Sequence, residues 1–186
     1  RKVVAAKVFP AECARHSAEL FVKAFQQYGV APKALTLHSD NGSPMKGSTM
    51  LATLQRLGVV PSFSRPGVSN DNPYSEALFR TMKYRPGYPS RPFDTVQEAQ
   101  QWVDYFVNWY NTEHLHGEIR FVTPDDRHHG RDIAKLKKRR NVYELARQRN
   151  PERWANQLRN WTPIEIVRLN PERIKASEEA LESEAA

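Results

Sequence analysis

The stretch from Ala34 to Phe63 constrains the fold most, because two short apolar runs flank one helical pattern and each junction carries turn residues. Pro32 leads into Ala34–His38, which reads as a strand. Asp40-Asn41-Gly42 follows; Asn-Gly forces a turn and leaves Asp40 at the C-terminal lip of that strand. From Gly47 to Leu57 the residues Leu51, Leu54 and Leu57 recur at helical spacing, and Gly58 ends the helix. Val59–Phe63 then reads as another strand. Upstream, Arg1–Phe9 is rich in Val and Ala and also reads as a strand, one whose neighbour is missing from the chain. After Pro10, Ala11–Tyr28 carries Leu20, Phe21, Ala24 and Phe25 on one side of a helix that Gly29 stops. Strands and helices alternating over the first 85 residues indicate an α/β core.

Ser64–Asp71 is a loop of turn formers, and Asn72-Pro73 is a good helix start, with Asn as cap and Pro in the first turn. The helix runs to about Tyr84 and stops before Pro86-Gly87-Tyr88-Pro89. A longer helix over Thr95–Asn111 aligns Val96, Ala99, Val103, Phe106 and Tyr110, widened by Trp102 and Trp109, which reads as a core face. Beyond it the chain is helical, then irregular around Trp154–Asn170, with Trp154 and Trp161 as packing residues.

Charge narrows the partner. The formal net charge is +7 and the pI about 9.6, which favours a polyanion. Between Arg131 and Arg149 stand eight basic residues against Asp132 and Glu144, with Lys137-Lys138-Arg139-Arg140 at the centre. This block is either a phosphate-tracking surface or a solvated helix. Pro171–Ala186 reverses the sign with five Glu and reads as a solvated, disordered tail. No apolar run is long enough to span a membrane. Cys13 is the lone cysteine, so no internal disulfide forms, which fits a reducing cytoplasm. Arg1 rather than Met stands first, as expected of a fragment or processed piece.

The chemistry candidates are Asp40 and Glu76, with 35 residues between them. Carboxylates from two elements are the minimum that can converge on a hard divalent ion, and phosphoryl transfer benefits from such ions. Arg80 and Lys83 follow Glu76 at i+4 and i+7, which puts two cations on the carboxylate's helix face. On spacing alone, an ordinary Glu76–Arg80 pair on a solvated helix is the readier reading.

The motifs change that weighting. His38-Ser39-Asp40-Asn41-Gly42, Ser64 through Glu76, and Phe79-Arg80-Thr81-Met82-Lys83 together resemble bacterial insertion-sequence transposases with a retroviral-integrase-like catalytic core. Trp109-Tyr110-Asn111-Thr112-Glu113-His114 and Thr123-Pro124 resemble the same family's closing signature. The resemblance implies a ribonuclease-H-like mixed sheet flanked by helices, here without its first strand, plus a helical basic C-terminal extension. It implies an Asp-Asp-Glu site binding Mg²⁺ or Mn²⁺, DNA cleavage followed by strand transfer, DNA ends and target as partners, and a homo-oligomeric strand-transfer complex in a bacterial cytoplasm. Asp40 matches the second aspartate and Glu76 the glutamate; Lys83 matches a lysine suggested to contact DNA, and Arg80, Lys137, Lys138, Arg139 and Arg140 are further DNA-binding candidates.

One departure stands out. The family's first aspartate precedes a Ser-Arg pair whose Arg corresponds to Arg1, and no aspartate occurs before Asp40. Glu12 and Glu19 fall on a helix and Asp71 in the loop, so none substitutes. The expectation is therefore a chain inactive by itself, or a non-catalytic DNA-binding remnant. A zinc site at His114, His116, His128 and His129 lacks accompanying cysteines. The expected division is 1–130 as integrase-like core, 131–170 as basic extension and 171–186 as acidic tail.

Overall fold

A computed structural model describes residues 1–68, 71–154 and 158–165. In chain order the elements are α1 (Ala14–Gln27), β1 (Thr36–Ser39), α2 (Ser43–Lys46), α3 (Ser48–Leu57), β2 (Val60–Phe63), α4 (Pro73–Lys83), α5 (Val96–Thr112), α6 (Pro124–His128) and α7 (Asp132–Arg149). Short 3-10 turns lie at Gly117–Ile119 and Pro151–Arg153. The acidic segment 171–186 lies outside the described residues.

The two strands pair in parallel with Thr36 opposite Val60 and Ser39 opposite Phe63. Parallel strands need a crossover, and α2 and α3 supply it. The helical stripe of α3 places Met50 and Leu54 (each 1% exposed) against Ala18 of α1 and Val59. Phe21, Phe25, Leu37 and Leu57 complete this first core. The close approach of α1 and α3 depends on Gly47, where a Cβ would stand 2.5 Å from the Ala14 Cβ. Gly58 closes α3 in the left-handed region at φ +68°.

The hydrogen-bond parity of the sheet shows which edges are open. Val60 N–H donates to the Leu35 carbonyl (3.2 Å) and Ser64 N–H to that of Ser39 (3.0 Å). Backbone direction alternates along a strand, so the backbone groups of Thr36 and His38 point away from β2. On β2 the outward residues are Pro61 and Phe63; Pro61 has no N–H to offer, as suits a true edge. Among the described residues the sheet consists of these two strands.

Arg1–Phe9 departs from the expected strand. It forms no ladder; side-chain amides of α5 satisfy its backbone instead. Asn111 is 8% exposed; its Oδ1 accepts from Val3 N–H and its Nδ2 donates to the Val3 carbonyl, both at 2.9 Å. Gln100 Oε1 accepts from Val8 N–H at 2.8 Å. Among the described residues no strand pairs with it, and side chains of α5 take the ladder's place.

The aromatic stripe of α5 is a packing face, with Ala99, Phe106 and Tyr110 buried and Trp102 stacked on Phe106. Thr95 caps this helix through the Glu98 N–H (3.0 Å). A second core joins Ile119, Val122, Leu136 and Trp161, with Phe121 and Tyr143 against it. Leu136 and Trp161 belong to the stretch after residue 130, so packing and ion pairs cross that position. Arg131 and Lys135 both engage the buried Asp126, and Arg127 pairs with the fully buried Asp132 at 2.8 Å.

Candidate two-carboxylate site

Asp40 follows β1 directly and is exposed. Its Oδ1 accepts the Gly42 N–H at 3.1 Å, so the Asn-Gly turn folds back on the carboxylate. A Cβ on Gly42 would lie 3.0 Å from that Oδ1, a second reason for glycine here. Glu76 lies in the first turn of α4, which Asn72 and Pro73 initiate; it too is exposed. Its N–H bonds the Asn72 carbonyl at 3.4 Å.

No ion pair among the described residues involves Asp40, Glu76, Arg80 or Lys83. The Glu76–Arg80 pair that spacing alone favours is therefore not formed. Arg80 and Lys83 are exposed on the last turn of α4. Asp40 borders an open cleft of about 610 Å³ with Lys7, Glu12, Cys13 and His16; Glu76 does not line it. No group of three or more His, Cys, Asp or Glu side chains suited to a metal occurs among the described residues. Two unpaired carboxylates fit the hard-oxygen chemistry of Mg²⁺, which retains waters and is commonly held by one or two carboxylates together with substrate phosphates.

The loop between β2 and α4 contains the residues that sequence reasoning missed. Asp71, set aside as a loop residue, is only 7% exposed. It accepts from Arg65 three times, from the backbone N–H at 2.8 Å and from Nε and Nη2 at 2.9 Å. His38 reaches the same residue, with Nε2 at 2.9 Å from the Asp71 carbonyl and Nδ1 at 2.9 Å from Ser62 Oγ. A carbonyl only accepts, so Nε2 carries the proton. Arg65 and Asp71 bracketing Pro66-Gly67 was the available signal: opposite charges six apart across a tight turn.

The four central cations of α7 divide. Lys137 and Lys138 are exposed and take no part in an ion pair among the described residues. Arg139 donates to the Arg120 carbonyl at 2.8 Å and lies 5.5 Å over Trp161, so it is a packing residue first. Arg140 pairs with Glu144 at 2.8 Å. The histidines do not form a ligand set. His114 stacks on Tyr110 at 5.2 Å, and His116 accepts the Glu118 N–H at 3.2 Å. Burial, with Arg1 and His114 nearby, pushes the His116 ring down to about 4.

An integrase core domain family model matches residues 57–124, a segment that contains Glu76 and the loop before it. The transposase for insertion sequence element IS904 of Lactococcus lactis subsp. lactis (strain IL1403) is 33% identical over 93 residues, covering 50% of this chain and 36% of the relative. The putative transposase for IS986/IS6110 of Mycobacterium tuberculosis (strain ATCC 25177 / H37Ra) is 33% identical over 104 residues, 53% of this chain and 36% of the relative. Over the matched segments the chain is similar to insertion-sequence transposases and to an integrase core domain. Its fold agrees: the catalytic core domain of BIV integrase superposes with a TM-score of 0.50 at 25% identity, covering 69% of this chain and 79% of that one. The fold is thus a ribonuclease-H-like α/β fold, and the chain spans about a third of the length of the curated relatives it matches. No described helix is long and apolar enough to cross a membrane.

Proposed function

We propose that this chain contributes two of the carboxylates and part of the DNA-binding surface of a transposase that cuts and joins DNA with divalent metal. The observation that carries this is the pairing state of Asp40 and Glu76. Both are exposed, neither is neutralised by a cation among the described residues, and hydrogen bonds between His38 and Asp71 and between Asn72 and Glu76 connect the chain segments that hold them. Mg²⁺ or Mn²⁺ would be held by these two residues, and such an ion supplies charge neutralisation at a phosphodiester and activation of its attacking oxygen. Asp40 and Glu76 would supply carboxylate oxygens to such an ion. Lys83 and Arg80, without an ion-pair partner among the described residues, contact the DNA backbone from the same helix, and Lys137 and Lys138 extend that contact from α7. A third carboxylate would complete the site. The working assembly is a homo-oligomer on transposon ends and target DNA in the bacterial cytoplasm.

The test is a nicking and strand-transfer assay on element-end duplexes, with the chain joined to a segment carrying the family's first aspartate. Mg²⁺-dependent nicking that Asp40→Asn and Glu76→Gln each abolish is expected. Activity surviving either change refutes the assignment. Salt-sensitive DNA binding with no cleavage, even in Mn²⁺, would instead favour a DNA-binding remnant without catalysis.

A further inference from the structure

We infer that His38 and Asp71 are positioning residues, a hydrogen-bonded bracket that fixes Glu76 relative to Asp40. This rests on the reading of those two carboxylates as metal-binding groups. Asp40 and Glu76 belong to different elements with 35 residues between them, and a long loop would let them drift. The structure limits that drift at two points beside Asp40. Two residues before it, the His38 ring spans from Ser62 of β2 to the Asp71 carbonyl, with both nitrogens engaged at 2.9 Å. One residue after it, Asn41 Nδ2 donates to the Ser64 carbonyl at 2.8 Å, while Ser64 N–H returns to Ser39 at 3.0 Å.

Asp71 makes the bracket stiff. A carboxylate at 7% exposure is costly unless fully hydrogen-bonded, and here one arginine provides three donors. Arg65 itself keeps 68% of its side chain in solvent, so the pair is not a core element; it holds Asp71 against the start of the loop at Arg65. That pairing presents the Asp71 carbonyl to His38. The next residue is Asn72, the N-cap of α4, and its carbonyl receives the Glu76 N–H. Only Asn72 lies between the His38 contact at Asp71 and the first turn of the helix carrying Glu76. Loss of His38 frees that turn while leaving the core of Met50, Leu54 and Val59 untouched.

Amide exchange and Mn²⁺ titration of the ¹⁵N-labelled chain test this separately. In the unmodified chain, Mn²⁺ is expected to broaden the Gly42 and Ala77 amide signals over the same concentration range. His38→Ala should raise the Mn²⁺ midpoint at Ala77 about tenfold or more, the usual consequence of removing a group that supports metal ligands. It should also speed exchange at the Arg65 and Glu76 amides about tenfold, without metal, as the loop opens locally. His38→Gln keeps a donor near Nε2 and should restore both readouts; Asp71→Asn should resemble His38→Ala. Unchanged exchange at Arg65 and Glu76 in His38→Ala overturns the bracket whatever the metal does. Altered exchange with no joint broadening in the unmodified chain overturns the metal reading instead, and with it the positioning role.

Discussion

Leu136→Ala tests whether the basic helix α7 folds as part of the integrase-like core or as a unit of its own. Leu136 is 1% exposed and packs with Ile119, Val122 and Trp161, which come from both sides of residue 130. Removing its branched end deletes buried apolar surface and leaves a cavity that rigid neighbours fill poorly. A fully buried Leu→Ala change costs about 3 kcal/mol, towards the lower end of the measured series. For a chain of this size, each kcal/mol moves the melting temperature by about 2–4 °C, so a fall of about 6–12 °C is expected. The assay is thermal unfolding followed by far-UV circular dichroism and, in parallel, by tryptophan fluorescence. Both signals should show one transition that moves by the same amount. Two separated transitions, or a core transition that stays in place while helix content falls, would refute coupling and support an independent extension from residue 131. A shift under 1 °C would refute the packing argument itself.

Gly47→Ala should lower stability by about 1–3 kcal/mol in urea unfolding, because the new methyl would lie 2.5 Å from the Ala14 Cβ; adding Ala14→Gly should recover most of that loss. Acid should destabilise the chain in two stages. The His116 ring is depressed to about 4 from 6.5, so its contribution is present above pH 6.5 and is lost as pH falls through that window, when the unfolded ring takes up a proton that the folded ring resists. Burial pushes Asp126 up, but hydrogen bonds from Lys135, Thr123 and Arg131 outweigh it and hold the group at about 2. Its contribution is therefore present above about 3.8 and lost towards 2; urea midpoints across pH 7 to 2, with His116→Asn flattening the upper stage, check both. Lys137→Ala with Lys138→Ala should weaken DNA binding at low salt and reduce the salt slope by about 2, with melting unchanged. Arg139→Ala should lower the melting temperature as well, because it also removes the bond to Arg120.

Local chemistry made much of this protein legible in the sequence. Glycine and proline punctuation marks the helix ends at Gly29, Gly58 and Asn72-Pro73, and apolar periodicity marks the buried faces of α3 and α5. Asp40 at a strand lip and Glu76 in a first helical turn follow from the same signals, since each depends on a few neighbouring residues. Whether a β-prone segment becomes a strand depends on what lies beside it, and Arg1–Phe9 has Asn111 and Gln100 there in place of a ladder. Ion pairing is equally non-local. Spacing favoured Glu76–Arg80, and the fold left both apart while it spent Arg65 on Asp71 and Arg139 on Arg120. The sequence by itself determined the elements and the residue types available for metal and phosphate chemistry, because those are properties of short windows. Only the tertiary structure decided which charges stay unpaired and which are consumed in holding loops, because pairing depends on distances between residues far apart in the chain.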